Sequence, residues 1–211
     1  MNRKIKILVI IAVLIITGVT IISSFINNNK KVIVCIDAGH GGTDVGATKE
    51  NRYEKNDTLK VAKLVREYLE QENIKVIMTR TDDITCTLQE RCKIANKKKA
   101  DLFVSIHRNS ADTGSGIETW INSKQNEEDI ELATNIMNYI GKIKIQNDRG
   151  IKYGTIKGEN TDYYVLNNTK MPSCLIELGF ISDDEDNKLF DENIEIYAEA
   201  IGNGIIETIK K

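Results

Sequence analysis

The sequence predicts a single α/β domain: a mostly parallel or mixed, twisted sheet with helices on both faces, preceded by an N-terminal membrane segment. Three observations predict this. Short apolar, β-branched runs alternate with longer amphipathic segments. The 211 residues leave about 180 for one domain once the first segment is set aside. No internal repeat or low-complexity tract indicates a second domain.

Residues 1–26 are predicted to form a signal or anchor segment. The run from Ile7 to Ile22 is apolar or small throughout and three basic residues precede it, which is the positive-inside pattern. A cleaved signal peptide and a retained anchor both fit, and the missing Ala-x-Ala cleavage site favours the anchor; a buried core helix is the remaining alternative. Residues 27–31 are polar and predicted to be a linker, so the folded domain spans 32–211.

Six short runs are predicted as strands. They are rich in valine, isoleucine and other apolar residues, too short for helices, and several are continuous enough to be covered on both faces. The fifth has the weakest pattern. In order, the predicted strands are residues 32–36, 75–78, 102–106, 116–121, 163–166 and 175–177.

Five longer segments are predicted as helices, because apolar side chains recur every three or four positions among charged residues. Two begin at capping boxes, Thr87 to Glu90 and Ser182 to Glu185, in which a hydroxyl and a carboxylate satisfy free backbone N–H groups. In order, the predicted helices cover 54–72, 88–98, 127–140, a segment that begins at Ser182, and 197–209.

Composition separates some classes of function. The net charge is −2 with both signs mixed along the chain, so no basic stripe favours nucleic acid as a partner. The four cysteines lack the C-x-x-C spacing of a zinc knuckle. Cys35 and Cys174 lie in apolar runs and are predicted as core residues. Cys86 and Cys92 are close enough in sequence to pair in an oxidising compartment, although a helical Cys92 disfavours that geometry.

The chain contains only two histidines, and each directly follows a buried strand. His40 lies in the Gly-rich loop after the first strand and His107 ends the third, so both are expected at one edge of the sheet, where open α/β sheets bind ligands. A catalytic zinc site uses three protein ligands and leaves one position for water, and histidines with a carboxylate are a known ligand set. Either histidine could instead be a hydrogen-bonded residue at a strand end.

Two glutamates are candidates to complete such a site. Glu54 begins the first helix after the Gly-rich loop and is a candidate ligand, or else an acid that interacts with the helix dipole. Glu177 lies between apolar residues, where desolvation raises a carboxyl pKa towards the range of a general base. The alternative is a buried glutamate paired with a lysine or arginine. A serine or cysteine hydrolase has no support, because no further histidine is left to activate a nucleophile.

Several motifs together resemble the zinc-dependent N-acetylmuramoyl-L-alanine amidases of the type-3 group, over almost the whole of 32–210. The resemblance implies that His40, Glu54 and His107 bind Zn²⁺ and that Glu177 is the catalytic glutamate. It makes 32–211 a zinc amidase domain. The motifs are IDAGHGG at 36–42, EK at 54–55, TRTD at 79–82, Leu88 with Arg91 and 95–96, FVSIHRNS at 103–110, GIETW at 116–120 and IELGFIS at 176–182.

The resemblance also implies a substrate and a place of action. The substrate would be peptidoglycan glycan strands with stem peptides, cut at the amide between N-acetylmuramic acid and L-alanine. The enzyme would be extracytoplasmic, membrane-anchored or secreted, and could need an activating partner protein. A short chain with an N-terminal anchor and no wall-binding repeats most resembles the spore-cortex amidases. The competing interpretation is a non-catalytic peptidoglycan-binding or scaffolding module on the same fold.

One residue departs from the family pattern. Members usually have alanine where this chain has Arg108, directly after a predicted metal ligand. A bulky cation at this position could narrow the groove, contact substrate or weaken zinc binding by repulsion. Glu118, in the strand that follows, could simply face solvent.

Overall fold

Strands and helices alternate along much of the chain, and five of the six strands of the central sheet lie where the hydrophobic pattern predicts a strand. The computed structural model describes residues 31–155 and 161–210. The elements are, in chain order, β1 (Ile33–Ala38), β2 (Thr48–Lys49), β3 (Arg52–Tyr53), α1 (Glu54–Gln71), β4 (Lys75–Met78), α2 (Leu88–Lys98), β5 (Leu102–Asn109), β6 (Ile117–Ile121), α3 (Glu127–Ile143), β7 (Asp148–Tyr153), α4 (Tyr164–Asn168), β8 (Ser173–Phe180) and α5 (Asp184–Ile209).

Six strands form the central sheet in the order β4-β1-β5-β8-β6-β7, while β2 and β3 form a small hairpin. The strands β4, β1, β5 and β8 pair in parallel, β6 runs antiparallel to β8, and β7 is parallel to β6. The sheet is therefore mixed, as predicted. Its parallel part aligns the carboxyl ends of β1, β5 and β8, so that the residues that follow these strands lie close together.

Helices cover both faces of the sheet, which confirms the predicted α/β class. Side chains alternate between the two faces along a strand, so Val34 and Ile36 join one apolar cluster while Cys35 joins the other. Buried residues of α1, α3 and α5 fill the first cluster, and those of α2 and α4 fill the second. The sheet thus carries a larger core on one side and a smaller one on the other.

The predicted membrane segment, residues 1–26, lies outside the described residues, as do 27–30 of the linker. Residues Val32–Lys211 form one compact unit, and the start of the domain at residue 32 stays a prediction. In the ranges 31–155 and 161–210, no helix is both long enough and apolar enough to cross a bilayer.

The predicted strand at 163–166 is wrong. This segment forms the short helix α4, which buries the adjacent side chains of Val165 and Leu166 against the second apolar cluster. The edge position beside β6 belongs instead to β7, whose sequence, DRGIKY, is largely polar and whose side chains are half-buried or exposed. An edge strand of this kind lacks the apolar run from which the other strands are predicted.

The last two predicted helices form one helix, α5, with a kink at Asn193, where φ is −131° and ψ is 18°. Its N-cap is Asp183, whose carboxylate accepts a hydrogen bond of 2.8 Å from the backbone N–H of Asp186. The capping residue therefore lies one position after the predicted Ser182. The capping box at Thr87 and Glu90 is present as predicted.

All four cysteines are free thiols. Cys35 and Cys174 are fully buried, which confirms their predicted place in the core. Cys92 packs on the inner face of α2, while the Cys86 thiol contacts the carbonyl oxygen of Thr79 at 3.7 Å. The two side chains have different surroundings, and the disulfide that their spacing permitted does not form.

Candidate metal centre and the adjoining groove

The fold brings the two histidines and Glu54 together around one point. His40 lies in the loop after β1, Glu54 is the first residue of α1, and His107 lies near the carboxyl end of β5. His40 Nε2 is 3.1 Å from Glu54 Oε2, and His107 Nδ1 is 2.9 Å from Glu54 Oε1. The imidazole centroids are 4.9 Å apart. One buried carboxylate therefore faces both imidazoles.

The arrangement fits a divalent metal ion in donor chemistry and in size. One donor atom from each of the three residues lies within 4.8 Å of the other two. Tetrahedral zinc with bonds of about 2.1 Å places its donor atoms roughly 3.4 Å apart, close to the two nitrogen–oxygen separations. Two imidazole nitrogens and one carboxylate oxygen form a ligand set that leaves a fourth position for water.

Further hydrogen bonds orient these side chains. His40 Nδ1 is 2.9 Å from Asp44 Oδ1, which leaves Nε2 directed at the centre. Glu54 accepts the backbone N–H of Ala47 at 2.8 Å on one oxygen and that of Arg108 at 3.0 Å on the other. Partners of this kind fix the orientation and tautomer of a metal ligand.

Removal of the Asp44 carboxylate should weaken metal binding without removing a ligand. We expect Asp44→Ala to lower zinc affinity roughly 10- to 100-fold, because the His40 ring loses the acceptor that orients it. Asp44→Asn is the matched control, since its amide oxygen can still accept from Nδ1 and should retain most of the affinity. Competition with a zinc chelator measures both, and an unchanged affinity in Asp44→Ala would show that Asp44 has no such role.

Two buried arginines hold the loop that carries His40. Arg91 donates 2.6 Å hydrogen bonds to the carbonyl oxygens of His40 and Ala38, and Arg80 donates at 2.8 Å to that of Gly39. The Arg91 guanidinium also pairs with the buried Asp37 carboxylate at 2.7 Å. His40 itself has a φ of 60°, a conformation that non-glycine residues rarely adopt. These contacts give a structural role to two of the motif residues, Arg80 and Arg91.

Two glycines permit the close approach of the ligands. A Cβ at Gly39 would lie 2.3 Å from Cε1 of His107, and a Cβ at Gly46 would lie 2.6 Å from Oε2 of Glu54. Gly46 also has a φ of +69°, which favours glycine. Any side chain at either position would displace a candidate ligand.

The charges of the ligand cluster support one another. Burial opposes ionisation of Glu54, but hydrogen bonds from His107 and His40 hold the pKa of its carboxyl well below the usual range. Burial favours the neutral imidazole of His40, but the Glu54 and Asp44 carboxylates raise its pKa above the usual value. Glu54 is therefore a fixed negative charge that attracts a cation, whether a proton on His40 or a metal ion.

Glu177 lies next to this cluster, and the pKa of its carboxyl is shifted in the opposite direction to that of Glu54. It is the register partner of His107 across β5 and β8 and is only 8% exposed. Burial raises the pKa of its carboxyl well above the usual value, and the negative charges of Glu54 and Glu118 raise it further, while Arg108 opposes the shift. Its buried Oε2 has no hydrogen-bond partner in the described part of the chain. No ion pair between Glu177 and a described lysine or arginine is present, so the alternative role that the sequence left open is not observed.

The side chain of Arg108 points away from the metal centre. Because strand residues alternate, Arg108 faces the side of the sheet opposite to His107. Its guanidinium donates at 2.8 Å to Asp57 and at 2.8 Å to Asn187, and lies 4.2 Å from the Phe190 ring centroid. Only its backbone N–H contacts the cluster. The expectation that this side chain would narrow the groove or contact substrate is therefore wrong.

The Arg108–Asp57 pair predicts an asymmetric effect on stability. Asp57→Asn leaves the Arg108 charge buried without its carboxylate, and we expect a loss of roughly 3 to 5 kcal/mol in the free energy of unfolding. Arg108→Met should cost much less, because Asp57 keeps its 2.7 Å ion pair with Arg52 and Met fills part of the same volume. Denaturant unfolding of both variants measures the difference. Equal losses would contradict the asymmetry.

Glu118 is a functional candidate that the sequence missed. The sequence left open that Glu118 faces solvent, but its side chain is buried and only 2% exposed. It pairs in register with Glu177 across β6 and β8. Its carboxylate accepts hydrogen bonds from Asn109 at 2.8 Å, Trp120 at 3.0 Å and Arg149 at 2.7 Å. The signal was its spacing of two from Trp120, which places both side chains on one face of the strand.

Two adjoining cavities form the accessible surface beside the centre. One, of about 360 Å³, contains His40, Glu54, His107 and Glu177 together with apolar and aromatic side chains of α4 and β8. The second, of about 390 Å³, lies over β6 and β7. Asn109 lines both cavities, so a bound molecule can extend from the metal centre over the antiparallel end of the sheet.

Comparison with known proteins identifies the family. A family model described as N-acetylmuramoyl-L-alanine amidase matches residues 34–211. The uncharacterised protein YqiI of Bacillus subtilis is 40% identical over 176 residues, which cover 82% of each chain. Several other relatives are longer, and the match spans about 60% of their length.

Solved structures agree with this result. The catalytic domain of CwlV, an N-acetylmuramoyl-L-alanine amidase from Bacillus (Paenibacillus) polymyxa, superposes with a TM-score of 0.75 at 36% identity, over 84% of this chain and 98% of that one. The CwlD amidase of Clostridioides difficile, solved with the GerS lipoprotein, superposes with a TM-score of 0.77 at 30% identity, over 85% and 98%.

The fold and the cluster of two histidines and a glutamate thus define an α/β enzyme with a candidate metal centre. The chain belongs to the N-acetylmuramoyl-L-alanine amidase family, whose members act on bacterial cell-wall peptidoglycan. The resemblance of the sequence motifs to the N-acetylmuramoyl-L-alanine amidases is confirmed.

Proposed function

We propose that this chain is a zinc-dependent hydrolase that cleaves the amide bond between N-acetylmuramic acid and the L-alanine of the stem peptide. The observation that carries the proposal is the contact of His40 Nε2 and His107 Nδ1 with the two oxygens of the buried Glu54 carboxylate, at 3.1 and 2.9 Å. The strand register of His107 with Glu177, whose Oε2 has no hydrogen-bond partner in the described part of the chain, supports a role for Glu177 as a proton acceptor beside these three residues.

His40, Glu54 and His107 would hold the zinc ion, which when bound acidifies water and polarises a carbonyl group. Glu177 would accept the proton of the attacking water and return it to the nitrogen of the leaving L-alanine. A raised pKa suits both transfers, because a side chain accepts and returns a proton most effectively when its pKa is near the working pH. Glu118 contributes to this high pKa through its negative charge.

Digestion of purified peptidoglycan tests the proposal. The zinc-loaded full-length chain should release stem peptides that begin with a free L-alanine amine, together with glycan strands that keep every glycosidic bond, as identified by mass spectrometry. A chelator should stop the release. A chain that binds sacculi without releasing peptide would be the competing non-catalytic module, and the proposal would fail.

A partner protein and a role in the spore cortex are the finer part of the proposal. The CwlD amidase was solved with the GerS lipoprotein, and this chain covers 98% of that amidase. We infer that this chain also acts with an activating lipoprotein and removes stem peptides before muramic-lactam formation. Deletion of its gene should lower the muramic-lactam content of the spore cortex, and an unchanged content would exclude this role.

The place of action is proposed to be the outer side of the cytoplasmic membrane, where peptidoglycan is accessible. The basic residues and apolar run of residues 1–26 support insertion as an anchor, or else secretion after cleavage. Protease treatment of intact protoplasts should digest the domain. A protected domain would place it in the cytoplasm and contradict the proposal.

A further inference from the structure

We propose that Arg149 and Lys152 bind a carboxylate of the stem peptide, two or three residues beyond the cleaved amide, and so set the preference for acidic over amidated stems. The inference rests on the proposed function and assigns the binding of the stem peptide to the cavity over β6 and β7. This cavity of about 390 Å³ is lined by both cations and by the aromatic side chains of Trp120, Tyr153 and Phe180.

The Arg149 guanidinium is fixed in place and still has donors to offer. Its Nε donates a hydrogen bond of 2.7 Å to the buried Glu118 carboxylate, and its Cζ lies 5.0 Å from the Phe180 ring centroid. Nη1 makes one long contact of 3.5 Å to the carbonyl oxygen of Ser115, and Nη2 has no acceptor among the described residues. An arginine held at Nε with a free terminal edge is prepared to bind a carboxylate through two hydrogen bonds.

Lys152 adds a second positive charge. It is the register partner of Trp120 across β6 and β7, so its side chain emerges on the face of the sheet that carries Glu118 and Glu177. In the described ranges, no aspartate or glutamate forms an ion pair with its amino group, whereas Arg149 is only partly neutralised by Glu118. Among the described residues that line the cavity, the positive charges therefore exceed the negative ones, and an anionic ligand can satisfy the excess.

The spacing from the metal centre selects the part of the substrate that would be bound. His107, Glu177 and Glu118 lie in register on three adjacent strands. Strands lie about 4.8 Å apart, so the Arg149 guanidinium beside Glu118 is roughly 10 Å from His107. An extended peptide advances about 3.5 Å per residue and reaches that distance within three residues. The peptide side of the cleaved bond, rather than the glycan, carries carboxylates at such a spacing.

Synthetic muramyl peptides that differ in one group test the inference. Two pairs are compared, with the second or the third stem residue carrying either a free carboxylate or the corresponding carboxamide. At one of these positions the wild-type chain should cleave the acid with a kcat/KM at least about 10-fold higher than the amide, as expected for the loss of a charge-assisted hydrogen bond. Lys152→Gln and Arg149→Lys should each reduce this ratio several-fold.

The control variant is Lys97→Gln, an exposed lysine in the last turn of α2, which should keep the wild-type ratio. Equal cleavage of acid and amide at both positions would overturn the inference and leave the amidase function intact. An acid preference that persists in both Lys152→Gln and Arg149→Lys would also overturn it. Failure to cleave any of the four peptides would instead count against the proposed function itself.

Discussion

Glu177→Gln is expected to lose nearly all amide hydrolysis while keeping the fold and the metal. Acid–base catalysis by one side chain contributes roughly 10²- to 10⁴-fold, and kcat should fall by this factor. The amide cannot accept the proton of water, yet it has nearly the volume of the carboxyl group it replaces. Because Glu177 Oε2 has no hydrogen-bond partner in the described part of the chain, the exchange breaks no described contact of that atom.

Three measurements make this result specific. The variant should retain stoichiometric zinc, unfold at the wild-type temperature or above it, and still bind peptidoglycan. Glu185→Gln, which changes an exposed glutamate in the first turn of α5, is the matched control and should keep full turnover. Near-normal activity in Glu177→Gln would remove Glu177 from the mechanism.

His40→Ala and His107→Ala are expected to lose metal and activity together. Each removes one of three candidate ligands, and the chain contains no other histidine that could replace it. The loss of zinc affinity should exceed the roughly 10- to 100-fold that accompanies the loss of a supporting hydrogen bond, since a ligand itself is missing.

The metal content of the purified variants separates these substitutions from Glu177→Gln. Both histidine variants should contain little zinc after dialysis, whereas Glu177→Gln should contain as much as the wild-type chain. Excess zinc in the assay should restore little activity. Stoichiometric zinc in both histidine variants would mean that the ligands are wrongly assigned.

Most of the sheet and the positions of both histidines could be predicted, because buried segments have a distinct apolar pattern in the sequence. Apolar runs identified five of the six strands of the central sheet, and their alternation with amphipathic helices predicted the α/β fold class. Because each of the two histidines follows a buried strand, both could be placed at one edge of the sheet. Glu54 was less certain from spacing alone, because an acid at a helix start has a common structural role in the helix dipole.

The parts that could not be predicted depend on partners distant in sequence. The strand β7 is polar because it lies at an edge, and α4 is a helix because its two adjacent apolar residues pack on the second face. Glu118 is buried because Arg149, 31 positions away, pairs with it. Arg108 was expected to lie in the groove, although strand alternation already places it opposite to His107.

Anomalous diffraction from crystals of the zinc-loaded chain tests the central claim most directly. The scattering peak should lie within about 2.2 Å of one nitrogen of His40, one nitrogen of His107 and one oxygen of Glu54, with Glu177 close by but unbound. A peak at any other group of residues, or one that lacks either histidine, would contradict the proposed centre and the hydrolysis that depends on it.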